Sequence, residues 1–160
     1  MYQPIIGTLG FVLSKDHKKV LLVHRNKRKS DHQLGKYNGL GGKLETHEDV
    51  LQGMKREILE EAGIDCTDIV LRGTVNWPGF GPNGEHWLGF VFLIKEFSGT
   101  PFTSNHEGDL VWVDVLDISN LSMWEGDKYF IPLVLDADPR PFHAYIPYKN
   151  GKVVDFSFTR

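Results

Sequence analysis

The stretch GKLETHEDVLQGMKREILEEAGI, residues 42–64, carries most of what the sequence says about fold and chemistry. Its apolar residues Val50, Leu51, Met54, Ile58 and Ala62 share one helical face at about 100° per residue. Asp49 and Gln52 have the spacing of a capping box, and Gly63 is a residue type that ends helices in the left-handed region. A helix is therefore predicted over 50–62. Glu57, Glu60 and Glu61 stand at i, i+3 and i+4, so they converge beside the apolar face, where like charges oppose helix formation. A solvated acidic face is the plain alternative, but the context argues for a ligand. The loop Gly39-Leu40-Gly41-Gly42 ahead of the helix lets backbone approach a bound group closely. Glu48 lies just before the cap, and Arg56 sits among the acids, able to orient carboxylates by bidentate hydrogen bonds. Convergent carboxylates are hard oxygen ligands of the kind Mg²⁺ or Mn²⁺ selects, so loop and acids together point to metal ions bridging phosphates.

Gly42, Glu48, Arg56-Glu57-Ile58, Glu60-Glu61 and Gly63-Ile64 fall at every defined position of a known pattern. The stretch resembles the Nudix box, Gx5Ex7REUxEExGU with U aliphatic. It is not a phosphate-binding P-loop, because Lys43 is followed by Leu44 rather than Ser or Thr. The resemblance implies a Nudix fold of the mixed α/β (α+β) class, a mixed β-sheet sandwiched between helices (α/β/α) with the box as loop–helix–loop. It also implies divalent-metal-dependent hydrolysis of a nucleoside diphosphate linked to another group. Under the resemblance Glu57, Glu60 and Glu61 are metal ligands, helped by the backbone carbonyl of Gly41. Glu48 and Arg56 orient the glutamates and the loop. Glu107, in the turn Asn105-His106-Glu107-Gly108, is a further expected ligand, and either it or Glu57 is the general base.

Away from the box, strand-like runs at 5–14, 19–24, 69–77, 86–97 and 109–115 are separated by Gly, Pro, Asn and Asp clusters. A second helix is expected over about 123–135, interrupted by Pro132. Asn150-Gly151 between two aromatic, β-branched runs signals a C-terminal β-hairpin, and Pro147 places its first strand at a sheet edge. With no repeat, low-complexity segment or linker, one domain over residues 1–160 is expected. The 18 basic against 21 acidic residues give a net charge of −3, which leaves no positive field for duplex nucleic acid. Cys66 is alone, the longest apolar run (Trp87 to Ile94) is far too short for a membrane span, and the N-terminus lacks a signal peptide's basic start. The expectation is a cytoplasmic monomer or homodimer acting on a nucleotide.

Lys36-Tyr37-Asn38-Gly39-Leu40-Gly41-Gly42-Lys43 further resembles the W-N-G-F-G-G-K stretch of MutT-like Nudix enzymes, which destroy oxidised purine nucleoside triphosphates. On that likeness Asn38 hydrogen-bonds the base edge, Trp124 stacks on it and Trp77 forms another wall. Arg25, in the basic run ahead of the glycine loop, is expected to steer the anionic substrate. One group of these enzymes carries two adjacent aspartates after its tryptophan. Here the run is Trp124-Glu125-Gly126-Asp127, so Asp127 alone keeps that role. The implied substrate is 8-oxo-dGTP or a similar nucleotide. The alternatives are another Nudix substrate (ADP-ribose, a nucleotide sugar or a capped RNA end) or a non-catalytic nucleotide-binding module.

Overall fold

Strand β1 (Ile5–Leu13) is apolar at almost every position because both its faces are covered. In the computed structural model, which describes residues 1–160, Phe11 and Leu13 point into one core while Val12 points into the other. Strand β2 (Lys19–His24) divides in the same way, Val20 and Leu22 against Leu21 and Val23. The short strands β3 (Tyr37–Asn38) and β4 (Leu40–Lys43) lead to helix α1 (Val50–Ala62). Strands β5 (Asp65–Trp77), β6 (Trp87–Ser98) and β7 (Asp109–Asp114) follow, then a 3-10 helix (Val115–Asn120) and helix α2 (Asp127–Leu135). Met54, Ile58 and Ala62 of α1 close one core, and Phe130, Ile131 and Val134 of α2 close the other. The sheet is therefore sandwiched between helices, as the sequence implied. No helix is long and apolar enough to cross a membrane.

The chain ends with β8 (Phe142–Tyr145), β9 (Tyr148–Lys149), β10 (Lys152–Val153) and β11 (Ser157–Thr159). The main sheet runs in the order β11-β8-β5-β6-β1-β2-β3, with β4 also paired to β1 and β7 to β2. Two pairings are parallel, β1 with β6 and β5 with β8, and the rest are antiparallel.

Three expectations shift in detail and one holds. Strand β5 starts at Asp65 rather than 69, because its polar first residues pair with the end of β6 through bulges. Helix α2 starts at Asp127, after a turn, and continues through Pro132, which forgoes one helical hydrogen bond. The Asn-Gly turn forms as expected, with φ of 52° at Asn150 and 77° at Gly151. Pro147, however, does not mark an edge strand. It sits in a break between β8 and β9, and β8 lies inside the sheet between β5 and β11.

A buried cation that drew no notice in the sequence secures α2. Arg72, on β5, donates to the carbonyls of Val134 and Asp138 at 2.9 and 2.8 Å and to the Asp136 carboxylate at 3.0 Å. These groups end the helix and the turn after it, so the guanidinium satisfies carbonyls that α2 leaves without partners.

Candidate active site

Helix α1 begins as its punctuation predicts. The Asp49 carboxylate accepts from the Gln52 backbone N–H at 2.8 Å, and the Gln52 side chain accepts from the Asp49 N–H at 3.0 Å. Such a cap stabilises a helix by about 1 kcal/mol. Gly63 closes it at φ 72°, its N–H donating to the Leu59 carbonyl. With both ends fixed, the rotation of each glutamate is fixed too. At about 100° per residue, Glu61 lies roughly 20° from the buried Met54, Glu57 roughly 60° and Glu60 roughly 120°. Burial follows that order. Glu61 is buried, the Glu57 side chain is 14% exposed and that of Glu60 is 60% exposed.

Arg56 braces the cluster. It grips Glu48 with two hydrogen bonds, at 2.7 and 2.8 Å, and reaches Glu57 at 3.0 Å and Glu60 at 3.3 Å. Its hydrogen bonds pull the Glu48 carboxyl down to about 2. Gly42 permits the approach of loop to helix, because a Cβ there would lie 2.6 Å from a Glu57 oxygen. Gly41 lies against β1, where a Cβ would meet the Thr8 carbonyl, and its N–H donates to Glu61 at 3.0 Å.

Glu61 is the electrostatic anomaly. Burial, then the charges of Glu107 and Glu57, push its carboxyl up to about 9 against the pull of the Gly41 N–H. Burial likewise raises Glu57; Arg56 opposes this, and Glu60 and Glu107 add to it. Glu107 thus lies near Glu57 and Glu61 from across the fold. Two contacts place it. Arg25 Nη1 donates to Glu107 at 3.0 Å while Arg25 Nε donates to Asp31 at 2.7 Å. Asn105 accepts from the Glu107 N–H at 2.9 Å and donates to the Glu61 carbonyl at 3.0 Å, tying the turn to the end of α1. Mutually repelling carboxylates, one buried and two half-buried, are a set of hard oxygen donors that a divalent cation neutralises, so the residues fit Mg²⁺ or Mn²⁺. Another set, Glu45, His47 and Glu48, brings its ligand atoms within 4.8 Å of one another, but Glu45 and His47 are exposed and Arg56 already holds Glu48.

Beside the acids opens a cavity of about 190 Å³. Asn38, Trp77, Trp124, Asp127 and Arg25, all singled out in the sequence, line it. Trp124 meets Phe80 edge to face at 5.1 Å, and the Lys36 ammonium sits 4.7 Å above its ring. Burial pushes the Asp127 carboxyl up to about 7, with Lys36 opposing. Gly126 has no room for a side chain, so no carboxylate can stand directly before Asp127 at that position. A Cβ would lie 2.6 Å from the Tyr148 hydroxyl and 2.9 Å from Ile146, and the hydroxyl already takes the Gly126 N–H at 2.8 Å. Arg25 contributes to the cavity wall with its guanidinium committed to Asp31 and Glu107.

The cavity residues that escaped the sequence reading include Thr8, Gln33, Phe80 and Trp87. Thr8 alone left a signal, as a polar residue within an apolar strand. Its Oγ1 and the indole nitrogen of Trp77 are buried without any protein partner, a condition that costs about 1–3 kcal/mol per group unless something else bonds to them. Cys66 lies apart from all of this, and burial raises its thiol to about 11, far from a reactive thiolate.

The family profile described as NUDIX domain matches residues 4–134. The oxidized purine nucleoside triphosphate hydrolase of Danio rerio is 30% identical over 146 residues, covering 91% of this chain and 89% of its own length. YvcI of Bacillus subtilis, an uncharacterized Nudix hydrolase, is 33% identical over 128 residues, or 78% of this chain and 75% of its own. The crystal structure of the mutator MutT protein from Bacillus halodurans superimposes with a TM-score of 0.82 at 27% identity, covering 96% of this chain and 97% of that one.

Proposed function

The chain belongs to the NUDIX family, and within it we propose a metal-dependent pyrophosphatase that converts an oxidised purine nucleoside triphosphate, such as 8-oxo-dGTP, to the monophosphate and pyrophosphate. One observation carries this reading. A single cavity has an amide and aromatic wall at Asn38 and Trp124, while its other lining residues Gly41, Gly42 and Arg25 contact Glu61, Glu57 and Glu107. A base against that wall puts the attached phosphates beside the acids. Stacking holds the ring and side-chain hydrogen bonds select it. The named function of the Danio rerio relative supports the choice of substrate.

In this reading Glu57, Glu60, Glu61 and Glu107 hold Mg²⁺, or Mn²⁺ in its place, with the Gly41 carbonyl as a further ligand. The bound metal neutralises the phosphates and lowers the pKa of the attacking water. Either Glu57 or Glu107 accepts that water's proton as the general base. Arg56 keeps Glu48, Glu57 and Glu60 in register, and Arg25 orients Glu107. The whole of residues 1–160 acts as one domain, as a monomer or homodimer, in the reducing cytoplasm that suits a lone thiol.

The deciding experiment is a substrate panel with Mg²⁺: 8-oxo-dGTP, dGTP, 2-hydroxy-dATP, ADP-ribose and a nucleotide sugar. An oxidised purine triphosphate is expected to lead ADP-ribose and the nucleotide sugar by at least about tenfold in kcat/KM, a difference of about 1.4 kcal/mol in transition-state binding. A lead for ADP-ribose or the sugar would move the enzyme to another Nudix substrate class. No turnover of any of them would leave a binding module.

Asp127 gives a pH signature. A guanine-type edge donates from its ring N–H and amino group, so the ionised carboxylate is the better partner. KM for such a nucleotide is expected to fall as pH rises through about 7, in a single step because no second carboxylate shares the proton. Asp127→Asn should remove the step. Stability runs the other way. The folded protein retains a proton that the unfolded chain releases near pH 4, so Asp127 lowers stability from about pH 4 to about pH 7, and the variant has a shallower slope there, Glu61 and Glu57 supplying the rest. KM measured from pH 6 to 9, and unfolding midpoints from pH 4 to 8, check both. A flat wild-type KM profile would refute the assignment.

A further inference from the structure

Gln33 sits in the loop between β2 and β3 and lines the cavity. Its Oε1 accepts from Asn38 Nδ2 at 3.0 Å and from the indole N–H of Trp124 at 3.2 Å. An indole nitrogen can only donate, so this contact fixes which end of the amide is oxygen. Two donors occupy both lone pairs of that oxygen. The loop holds the residue from behind, because the Gln33 backbone N–H donates to Asp31 at 3.0 Å, and Asp31 is itself anchored by Arg25. What remains is the amide nitrogen, whose two N–H groups donate to no protein acceptor.

We infer that Gln33 is a specificity residue, whose Nε2 donates to a ring-nitrogen or carbonyl acceptor on the edge of a purine stacked against Trp124. The inference rests on the nucleotide reading above and deepens it. Gln33 binds together the two residues that form the base wall and adds the donor pair that Asn38 and Trp124 do not supply. Asn38 spends one N–H on Gln33 and presents its own oxygen, and Asp127 presents an acceptor when ionised. The wall then offers donors at Gln33 and acceptors at Asn38 and Asp127, a mixed pattern suited to a purine that has both kinds of group on its edges.

Two substitutions separate reading from bracing. Gln33→Glu keeps oxygens for Asn38 and Trp124 but turns the free donors into an acceptor, whereas Gln33→Ala removes both functions. The measurement is calorimetric titration of wild type and both variants with 8-oxo-dGMP, dGMP and dCMP at pH 8 with Mg²⁺. The dCMP series reports the uniform repulsion of phosphate by the added charge. Wild type is expected to favour the purines, and Gln33→Glu to cut purine affinity relative to dCMP by tenfold or more, since an acceptor now faces an acceptor. If Gln33→Glu keeps the wild-type purine-to-dCMP ratio while Gln33→Ala loses it, Gln33 only braces the wall and the inference is overturned. If both variants keep the ratio, it is overturned as well. If wild type itself binds no purine monophosphate better than dCMP, the oxidised-purine reading falls first and the inference with it.

Discussion

Glu61→Gln is expected to lower kcat for the best substrate roughly a hundredfold or more at saturating Mg²⁺ while the protein stays folded. The amide can still accept the Gly41 N–H, so the loop keeps its anchor to α1. What disappears is the charge that a cation would share with Glu57 and Glu107. Its burial against two other carboxylates also burdens the metal-free protein, which must keep Glu61 protonated near neutral pH while the unfolded chain releases that proton. The unfolding midpoint without metal should therefore rise in the variant, and the extra stability that Mg²⁺ confers on wild type should shrink. Glu60→Gln is expected to depress kcat in the same direction with little change in midpoint, because Glu60 is exposed and held only by Arg56. Near-normal turnover of both variants would end the metal-ligand assignment.

Trp124→Ala is expected to cost about 5- to 150-fold in kcat/KM, mostly through KM, since stacking one base is worth about 1–3 kcal/mol. The ring also touches Phe80 and Tyr148 and donates to Gln33, so its removal loosens the cavity wall. Trp124→Phe separates the two effects. It restores a stacking face without the indole N–H and should recover much of the lost KM. The opposite signatures of the two alanine and amide variants, KM at the base wall and kcat at the acids, are what a cavity with two chemically distinct ends requires. An unchanged KM in Trp124→Ala would place the base elsewhere.

The features legible in the sequence are those whose cause is local. Both ends of α1, the graded burial of its glutamates and the Glu48–Arg56 pair all arise within one turn or two of the same helix, so residue spacing suffices to find them. The Asn150-Gly151 turn was legible for the same reason. Gln33 and Asn105 were not, because each acts through a partner that only the sheet brings near: Trp124 for one, the carbonyl of Glu61 for the other. Arg72 looks like one more polar strand residue until α2 is packed over it. Pro147 misled because the edge or interior position of β8 is decided by a parallel pairing with β5 that leaves no mark on the residues beside the proline. The resemblance to MutT-like enzymes located the wall residues. It could not explain why glycine stands at the first position of the aspartate pair, which takes the contact of Gly126 with Tyr148 and Ile146.

The parallel pairing of β1 with β6 sets the order in which this protein can come together. Ile5 lies opposite Trp87 and Val12 opposite Ile94, so the centre of the sheet cannot zip until most of the chain has been made and its intervening loop closed. Hairpins such as β5–β6, and α1 with its own caps, can organise beforehand. The cavity cannot, since Leu9, Asn38 and Trp124 join Trp77 and Gly89 of that hairpin only across the late pairing. A nucleotide bound there, as proposed, would stabilise the finished molecule and none of its precursors, so it is expected to slow unfolding and leave the folding rate untouched.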